Sequence, residues 1–201
     1  MDAQRRVVYL FSGSSLSLLS DVFGQEGTSP LYQMVGRTFL GELPSKHVIS
    51  FVKRRLRAVH GATLPKEAAD RFYERVGGIP YYVQKLGLAI ERRLVFEGVQ
   101  AIGAEHVDIG FDALLDELDL DFQERFTTRF SLQQQTILLA IADDAATSAA
   151  IAERQQTAPE NLTYSLKKLV GTMILSKDGS AYRVTDRVFG GWLARLRVGG
   201  V

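Results

Sequence analysis

The chain has 201 residues, with 24 Lys and Arg against 23 Asp and Glu, and 46% of its residues are apolar. These values are typical of one or two globular domains and exclude an intrinsically disordered chain. No cysteine is present, which excludes disulfides, thiolate metal sites and a cysteine nucleophile, and suits a reducing cytoplasm. No apolar stretch approaches the roughly 20 residues of a membrane span, so we expect a cytoplasmic protein with no membrane partner.

Charge is unevenly distributed along the chain. Residues 44–97 are rich in basic side chains, among them Lys53, Arg54, Arg55, Arg57, Arg92 and Arg93. Residues 105–124 are rich in acidic ones, namely Glu105, Asp108, Asp112, Asp116, Glu117, Asp119, Asp121 and Glu124. Such blocks are typical of solvated faces or of surfaces that pair within a molecule, and a nucleic-acid partner is the alternative.

The first fifth of the chain begins with a strand signal. Val7–Phe11 is a continuous apolar run closed by Ser12-Gly13-Ser14-Ser15, a pattern that predicts a buried parallel strand. No similar run lies nearby, so we expect its neighbouring strands in a preceding half of the protein or in a partner. Ser17–Phe23 predicts a short helix, and Phe39–Pro44 predicts a short strand.

The middle of the chain has helical periodicity with Pro and Gly at the expected boundaries. It predicts a small helical lid built from four helices: His47–His60, Lys66–Val76, Ile79 to about Phe96, and Glu105–Leu118.

The last third predicts a winged helix-turn-helix. Three helices are expected over Ser131–Ile141, Thr147–Gln155 and Pro159–Gly171, followed by strands at Met173–Ser176 and Tyr182–Thr185. The Asp-Gly pair between these strands is a strong hairpin signal. A helix containing Phe189, Trp192 and Leu196 closes the chain.

This order of elements, together with Ser29-Pro30-Leu31-Tyr32 and Gly78-Ile79-Pro80-Tyr81-Tyr82, resembles the archaeal-type ATPases, STAND-like relatives of the AAA+ P-loop ATPases. The resemblance covers nearly the whole chain but only the C-terminal half of a usual family member. Neither a P-loop, G-x-x-x-x-G-K-[ST], nor a Walker B strand occurs in the sequence, so we expect a chain cut before its P-loop.

The resemblance implies a mainly α fold in three parts. Residues 1–43 would be a remnant of a P-loop α/β core, residues 44–119 the helical lid, and residues 120–201 the winged helix-turn-helix.

The resemblance also implies ATP-binding residues. Ser14 and Ser15 match the end of the sensor strand near the γ-phosphate; the alternative is a strand-to-helix turn with Ser15 as a helix cap. Arg37 is the counterpart of a phosphate-sensing arginine, although Gln33-Met34-Val35 interrupt the family's Pro-Leu-Tyr-Gly-Arg pattern. A surface arginine is the alternative.

Gly78 and Pro80 match the family element that packs against adenine, where Gly permits close approach and Pro fixes the turn. Tyr81 would add aromatic surface. The alternative is an ordinary helix N-terminus with Pro in its first turn.

DNA reading by the winged helix would use side chains on its third helix and wing: Asn161, Tyr164, Lys167, Lys168 and Lys177. In the alternative interpretation, Lys167 and Lys168 complement the helix dipole and the module packs on an ATPase core, as in STAND relatives.

No catalytic constellation and no metal-ligand spacing is evident, since His47, His60 and His106 lie far apart. The sequence therefore predicts the C-terminal part of an ATP-driven conformational switch. The full-length parent would bind ATP with Mg, whereas this chain alone would be inactive and would not bind ATP tightly. Its partner would be the P-loop half or an unknown protein. The alternative function is a winged-helix module that binds DNA or protein.

Overall fold

The computed structural model describes residues 8–10, 36, 38, 40–98, 100–142 and 146–198. The chain divides into two units, Met1–Leu40 and Gly41–Val201. In the first unit, Val8, Tyr9 and Leu10 are exposed and lie in neither a helix nor a strand. The predicted buried strand is therefore wrong at these residues, because a parallel strand forms only where neighbouring strands complete its hydrogen bonds. The predicted helix Ser17–Phe23 lies outside the described residues.

Four helices form the first part of the second unit: α1 (Ser45–His60), α2 (Lys66–Val76), α3 (Pro80–Glu97) and α4 (Ala104–Arg129). Pro and Gly lie at the boundaries of α1, α2 and α3, as the sequence predicts. Pro80 occupies the first turn of α3, and Gly61 and Gly98 end α1 and α3 in the left-handed conformation, which glycine adopts without strain. Gly41–Pro44, before α1, form no strand, so the short strand predicted there is wrong at its described residues.

Helix α4 extends eleven residues beyond the end that the sequence predicted. The expected end at Leu118 is wrong, because the helix continues to Arg129. Phe122 and Phe126 extend the buried stripe of Leu114 and Leu118 at four-residue spacing, and the intervening acidic residues lie on the exposed face. The predicted boundary between residues 119 and 120 consequently lies inside one helix.

The second part contains α5 (Leu132–Ile141), β1 (Ala146–Thr147), α6 (Ser148–Arg154), α7 (Pro159–Gly171), β2 (Leu175–Asp178), β3 (Ala181–Val184) and α8 (Arg187–Val198). Ser131 caps α5 and Thr147 caps α6 through their side-chain oxygens. The antiparallel sheet has the order β1-β3-β2, with Leu175 opposite Val184 and Ala146 opposite Tyr182. The elements follow the order predicted for a winged helix-turn-helix.

One hydrophobic core runs through the second unit from α1 to α8. It contains an aromatic cluster between the C-terminal part of α4 and α8, which we call the α8 seam: Phe122, Phe126, Phe130, Phe189 and Trp192. Ring centroids within the seam are 5.3 to 6.4 Å apart, in the range of favourable aromatic pairs. The fold is thus mainly α. None of the helices in the described ranges is both long and apolar enough to cross a bilayer.

Candidate functional site

The candidate site is the start of α3, where the sequence placed Gly78, Pro80 and Tyr81. Helix α2 ends at Val76, and Gly77 follows with φ 62° and ψ −146°. Glycine adopts this backbone conformation readily, whereas any residue with a side chain would be strained in it. Ile79 is the N-cap residue of α3, and Pro80 is its first residue. Proline needs no hydrogen-bond partner at that position because it has no N–H.

Gly78 packs against the chain segment that leads into the lid. The Leu43 N–H donates to the Gly78 carbonyl at 2.9 Å, and the Gly78 N–H donates to the Glu42 carboxylate at 3.1 Å. A methyl group on Gly78 would lie 2.5 Å from the Leu43 nitrogen and nearer still to its carbonyl oxygen. The sequence interpretation assigned this close approach to adenine, whereas the structure shows the Leu43 backbone making it. The adenine contact stays a prediction.

Tyr73 and Arg187 complete this contact from α2 and α8. The Tyr73 hydroxyl donates to the Leu43 carbonyl at 3.2 Å. The Arg187 guanidinium lies 5.1 Å from the Tyr73 ring centroid, donates to the Tyr73 carbonyl at 3.1 Å and lies 4.0 Å from the Glu42 carboxylate. We call this set the α3 junction: Glu42, Leu43, Tyr73, Gly77, Gly78 and Arg187. It joins the segment before the lid to α8.

Tyr81 lies beside an uncapped helix terminus. Its side chain is 50% exposed, its ring is edge-on to Tyr82 at 5.4 Å, and the Lys85 ammonium lies 5.7 Å from its centroid. The first turn of α3 contains no acidic residue, and Ile79 provides no side-chain cap. No side chain of α3 itself compensates the positive end of the helix dipole, and a nearby negative charge is the Glu42 carboxylate bonded to the Gly78 N–H. The arrangement can accept a flat aromatic group beside the Tyr81 ring.

Tyr82 is buried and forms a polar contact with Asp186, at the edge of the α8 seam. Its hydroxyl donates to Asp186 Oδ2 at 2.8 Å, while Asp186 Oδ1 accepts from the N–H groups of Val188 and Phe189 and caps α8. Arg125 lies 3.9 Å from the same carboxylate. Burial, followed by the Asp186 charge, raises the pKa of Tyr82 above its usual range, so the phenol stays protonated.

Sequence reasoning missed Glu42, Arg187 and Asp186. Asp186 had a readable signal, since it stands three residues before Phe189 at the head of an apolar helix, as an N-cap residue does. Glu42 and Arg187 had no such signal in the sequence. Glu42 contacts Gly78, 36 positions away, and Arg187 contacts Tyr73, 114 positions away.

The candidate DNA-reading residues lie on α7 and β2, and none of them takes part in the α3 contacts described above. Tyr164, Lys167 and Lys168 are exposed. The Asn161 amide donates to Thr157 Oγ1 at 3.1 Å, and the Lys177 ammonium lies 5.4 Å from the Tyr182 ring centroid. Ser14, Ser15 and Arg37 lie outside the described residues. Within the described ranges, no group of three His, Asp or Glu side chains could hold a metal ion.

No protein-family model and no curated protein matches the sequence. Among solved structures, the chain is similar to a Walker-type ATPase of Pyrococcus abyssi, with a TM-score of 0.69 and 22% identity over 90% of this chain. It also matches the RuvB Holliday junction branch migration motor of Thermotoga maritima over 75% of this chain and 49% of that one, at 16% identity and a TM-score of 0.37, which is too low to establish a shared fold. The chain spans 51% of the Pyrococcus ATPase and shares the fold of that part.

Proposed function

We propose that this chain is the lid and winged-helix part of an ATP-binding P-loop protein that works as a conformational switch. The observation that carries the proposal is the start of α3, an uncapped helix terminus beside a half-exposed tyrosine ring. The fold around this site also supports the proposal, since the chain shares it with part of a Walker-type ATPase.

The residues of this chain fit the base of ATP better than its phosphates. Tyr81 offers an aromatic face, Pro80 fixes the first turn, and the nearby Glu42 carboxylate disfavours a phosphate there. The sequence has no P-loop pattern, so the phosphate contacts and the Mg ligands would come from the P-loop half of the parent. Bound ATP would supply the charge that orders that half against the lid. In the proposal, Ser14 and Arg37 face the γ-phosphate.

The α3 junction supplies the moving part of the proposed switch. Residues 41–44 link the first unit to the lid, and Glu42 and Leu43 contact Gly78 directly. A displacement of this segment would break the bonds to Gly78 at the start of α3 and the Glu42 contact of Arg187 on α8. Nucleotide at the start of α3 would in turn favour one position of the segment. The α8 seam would carry the lid and the C-terminal module together.

The proposal is tested by titrating the 201-residue chain with ATP and following its amide resonances by NMR, with phosphate release measured in parallel. We expect weak binding in fast exchange, with the largest shifts at Gly78, Tyr81 and Tyr82, and no hydrolysis. Tyr81→Ala should remove these shifts. Tyr164→Ala is the control, because it removes the same type of side chain from an exposed position on α7, and it should leave these shifts unchanged. Steady hydrolysis, or shifts centred away from the start of α3, would contradict the proposal.

A second candidate is a winged-helix module that binds DNA or protein. The observation that favours it is the surface of α7, where Tyr164 is 77% exposed and the exposed Lys167 and Lys168 stand three and four residues further along, on the same face. Asn161 argues less for base reading, since its amide is engaged with Thr157. Duplex binding that is weakened by Lys167→Glu or Lys177→Glu would support this candidate.

A further inference from the structure

The acidic and basic blocks of the chain are used differently in the structure. Four carboxylates of α4 are engaged by neighbouring elements. Asp116 lies 2.5 Å from Arg195 on α8, Glu117 pairs with Lys85 on α3, and Asp119 accepts from the Trp192 indole at 2.8 Å. Asp108 lies 2.6 Å from Arg75 and 3.8 Å from Arg71. The acidic block is therefore partly neutralised within the molecule.

Helix α1 carries the opposite charge and leaves most of it unpaired. Arg55 lies 3.3 Å from Glu91. In the part of the chain that the structure describes, four other exposed cations of α1 form neither an ion pair nor a side-chain hydrogen bond: Lys46, Lys53, Arg54 and Arg57. The near equality of positive and negative charge over the whole chain thus conceals one strongly basic surface.

These four cations share one face of α1. Residues 46, 53 and 57 are separated by seven and four positions, which places them in line along a helix, and residue 54 lies beside that line. Val48, Val52 and Leu56 cover the opposite face and are buried in the core. We call the outward set, Lys46, Lys53, Arg54 and Arg57, the α1 basic face. The packing of the apolar side of the helix fixes its orientation toward solvent.

We propose that the α1 basic face binds the phosphate backbone of a nucleic acid. From residue 46 to residue 57 the helix rises about 16 Å at about 1.5 Å per residue. One nucleic-acid strand carries a phosphate about every 3.4 Å along its axis, so the face can contact several phosphates. Arginine forks suit phosphate oxygens. Phe51, 44% exposed, lies three residues before Arg54, where its ring can stack on an unpaired base.

Nucleic acid fits this surface better than a membrane does. An amphipathic helix that binds lipid inserts its apolar face among the acyl chains, but the apolar face of α1 is buried against the lid core. The α1 basic face is a row of cations with no apolar stripe of its own. Its charge is therefore complementary to that of a linear polyanion. This surface is separate in sequence from α7 and the wing, and it does not depend on the proposed ATP-binding role.

The test measures binding of the full chain to fluorescent single-stranded RNA, single-stranded DNA and duplex DNA by anisotropy, between about 50 and 200 mM salt. The test variant replaces the α1 basic face by glutamine, K46Q/K53Q/R54Q/R57Q. The matched control, K167Q/K168Q/K177Q, removes cations from α7 and the wing. We expect at least tenfold weaker binding for the α1 variant, and a salt slope reduced by about 3.6 on duplex DNA, at roughly 0.9 for each of the four phosphates that are no longer neutralised. The control should stay within about twofold.

Three results would overturn the proposal. The first is binding to nucleic acid that the control variant loses and the α1 variant keeps. The second is that the unaltered chain binds none of the three nucleic acids at the lower salt concentration, and the third is tighter binding to phosphatidylserine vesicles than to nucleic acid. Thermal unfolding of each variant checks its fold. Should the fourfold variant fail to fold, K53Q/R57Q replaces it, with about half the change in salt slope expected.

Discussion

The α8 seam and the α3 junction both hold the start of α3 in place, and they are built in opposite ways. The seam consists of five buried aromatic side chains, with Asp186 binding Tyr82 and capping α8 at its edge. The junction consists of a few polar contacts around Glu42 and Leu43, both of which are exposed. Burial of large aromatic side chains contributes several kcal/mol each, about 3–5 when they are truncated, whereas exposed ion pairs contribute about 0–1.

This difference indicates where the molecule can move. Opening the junction breaks exposed polar contacts that water can replace, so its cost in free energy is small. Opening the seam exposes aromatic surface to water, which costs more. Local opening favours segments with few buried apolar contacts. The lid and the C-terminal module should therefore act as one body, and residues 41–44 should be the part that a switch displaces.

Loss of a seam side chain should produce the largest effect. Phe189 is 0% exposed and contacts the rings of Phe122, Phe130 and Trp192. Phe189→Ala should lower the free energy of unfolding by about 3–5 kcal/mol, measured by urea denaturation. Phe96→Ala is the matched control, because Phe96 is 89% exposed and its loss should change stability by less than about 0.5 kcal/mol. Similar effects for both variants would contradict the assigned role of the seam.

A methyl group at Gly78 should push Glu42 and Leu43 away from the start of α3. Because the added carbon would overlap the Leu43 backbone, Gly78→Ala should lower stability by about 1–3 kcal/mol and expose the Leu43 amide to exchange. Gly87→Ala is the control, since nothing lies within 4 Å of a methyl group there and alanine should stabilise α3 by about 0.5–1 kcal/mol. A Gly78 variant that is as stable as the Gly87 variant would show that the close approach is not structural.

Removal of the Tyr82 hydroxyl should change the dependence of stability on pH. Tyr82→Phe should cost about 1.5 kcal/mol near neutral pH, because it breaks a hydrogen bond to a carboxylate. The raised pKa of Tyr82 means that the folded state keeps a proton which the unfolded state loses above about pH 10. Stability of the unaltered protein should therefore fall as pH rises beyond that value. The variant should lack this part of the fall; equal alkaline slopes in the two proteins would contradict the burial of the phenol.

Glu42→Gln should have the smallest effect on stability. The Glu42 carboxylate is about one-third exposed, so its neutralisation should cost less than about 1 kcal/mol. The Gly78 amide, which donates to this carboxylate, should nevertheless exchange faster, because a neutral amide oxygen is a weaker acceptor. Glu153→Gln, an exposed site on α6, should alter neither property. A large loss of stability in the Glu42 variant would place the junction within the cooperative core.

Local signals in the sequence were enough for most of the secondary structure. Pro80 and Gly98 mark the ends of α3, Ser131 caps α5, and Asp178-Gly179 lies at the hairpin between β2 and β3. The end of helix α4 was predicted at Leu118, although Phe122 and Phe126 continue its buried stripe at four-residue spacing.

The candidate site was only half predictable from the sequence. Gly78, Pro80 and Tyr81 stand in a recognisable pattern, but the pattern does not show what approaches the glycine. The answer depends on Glu42 and Leu43, which reach Gly78 only after α1 and α2 have packed. Tyr82 and Asp186 meet across 104 positions. Neither contact has a periodicity or a spacing that can be read along the chain.

Native-state hydrogen exchange tests the central claim most directly, because it measures the opening free energy of each amide separately. The decisive comparison is between the Leu43 and Gly78 amides of the junction and the amides in the middle of α8. We expect the junction amides to exchange through a local opening of much lower free energy, while those of α8 exchange only on global unfolding. Equal opening free energies for the two groups would contradict a junction that moves against a rigid lid and C-terminal module.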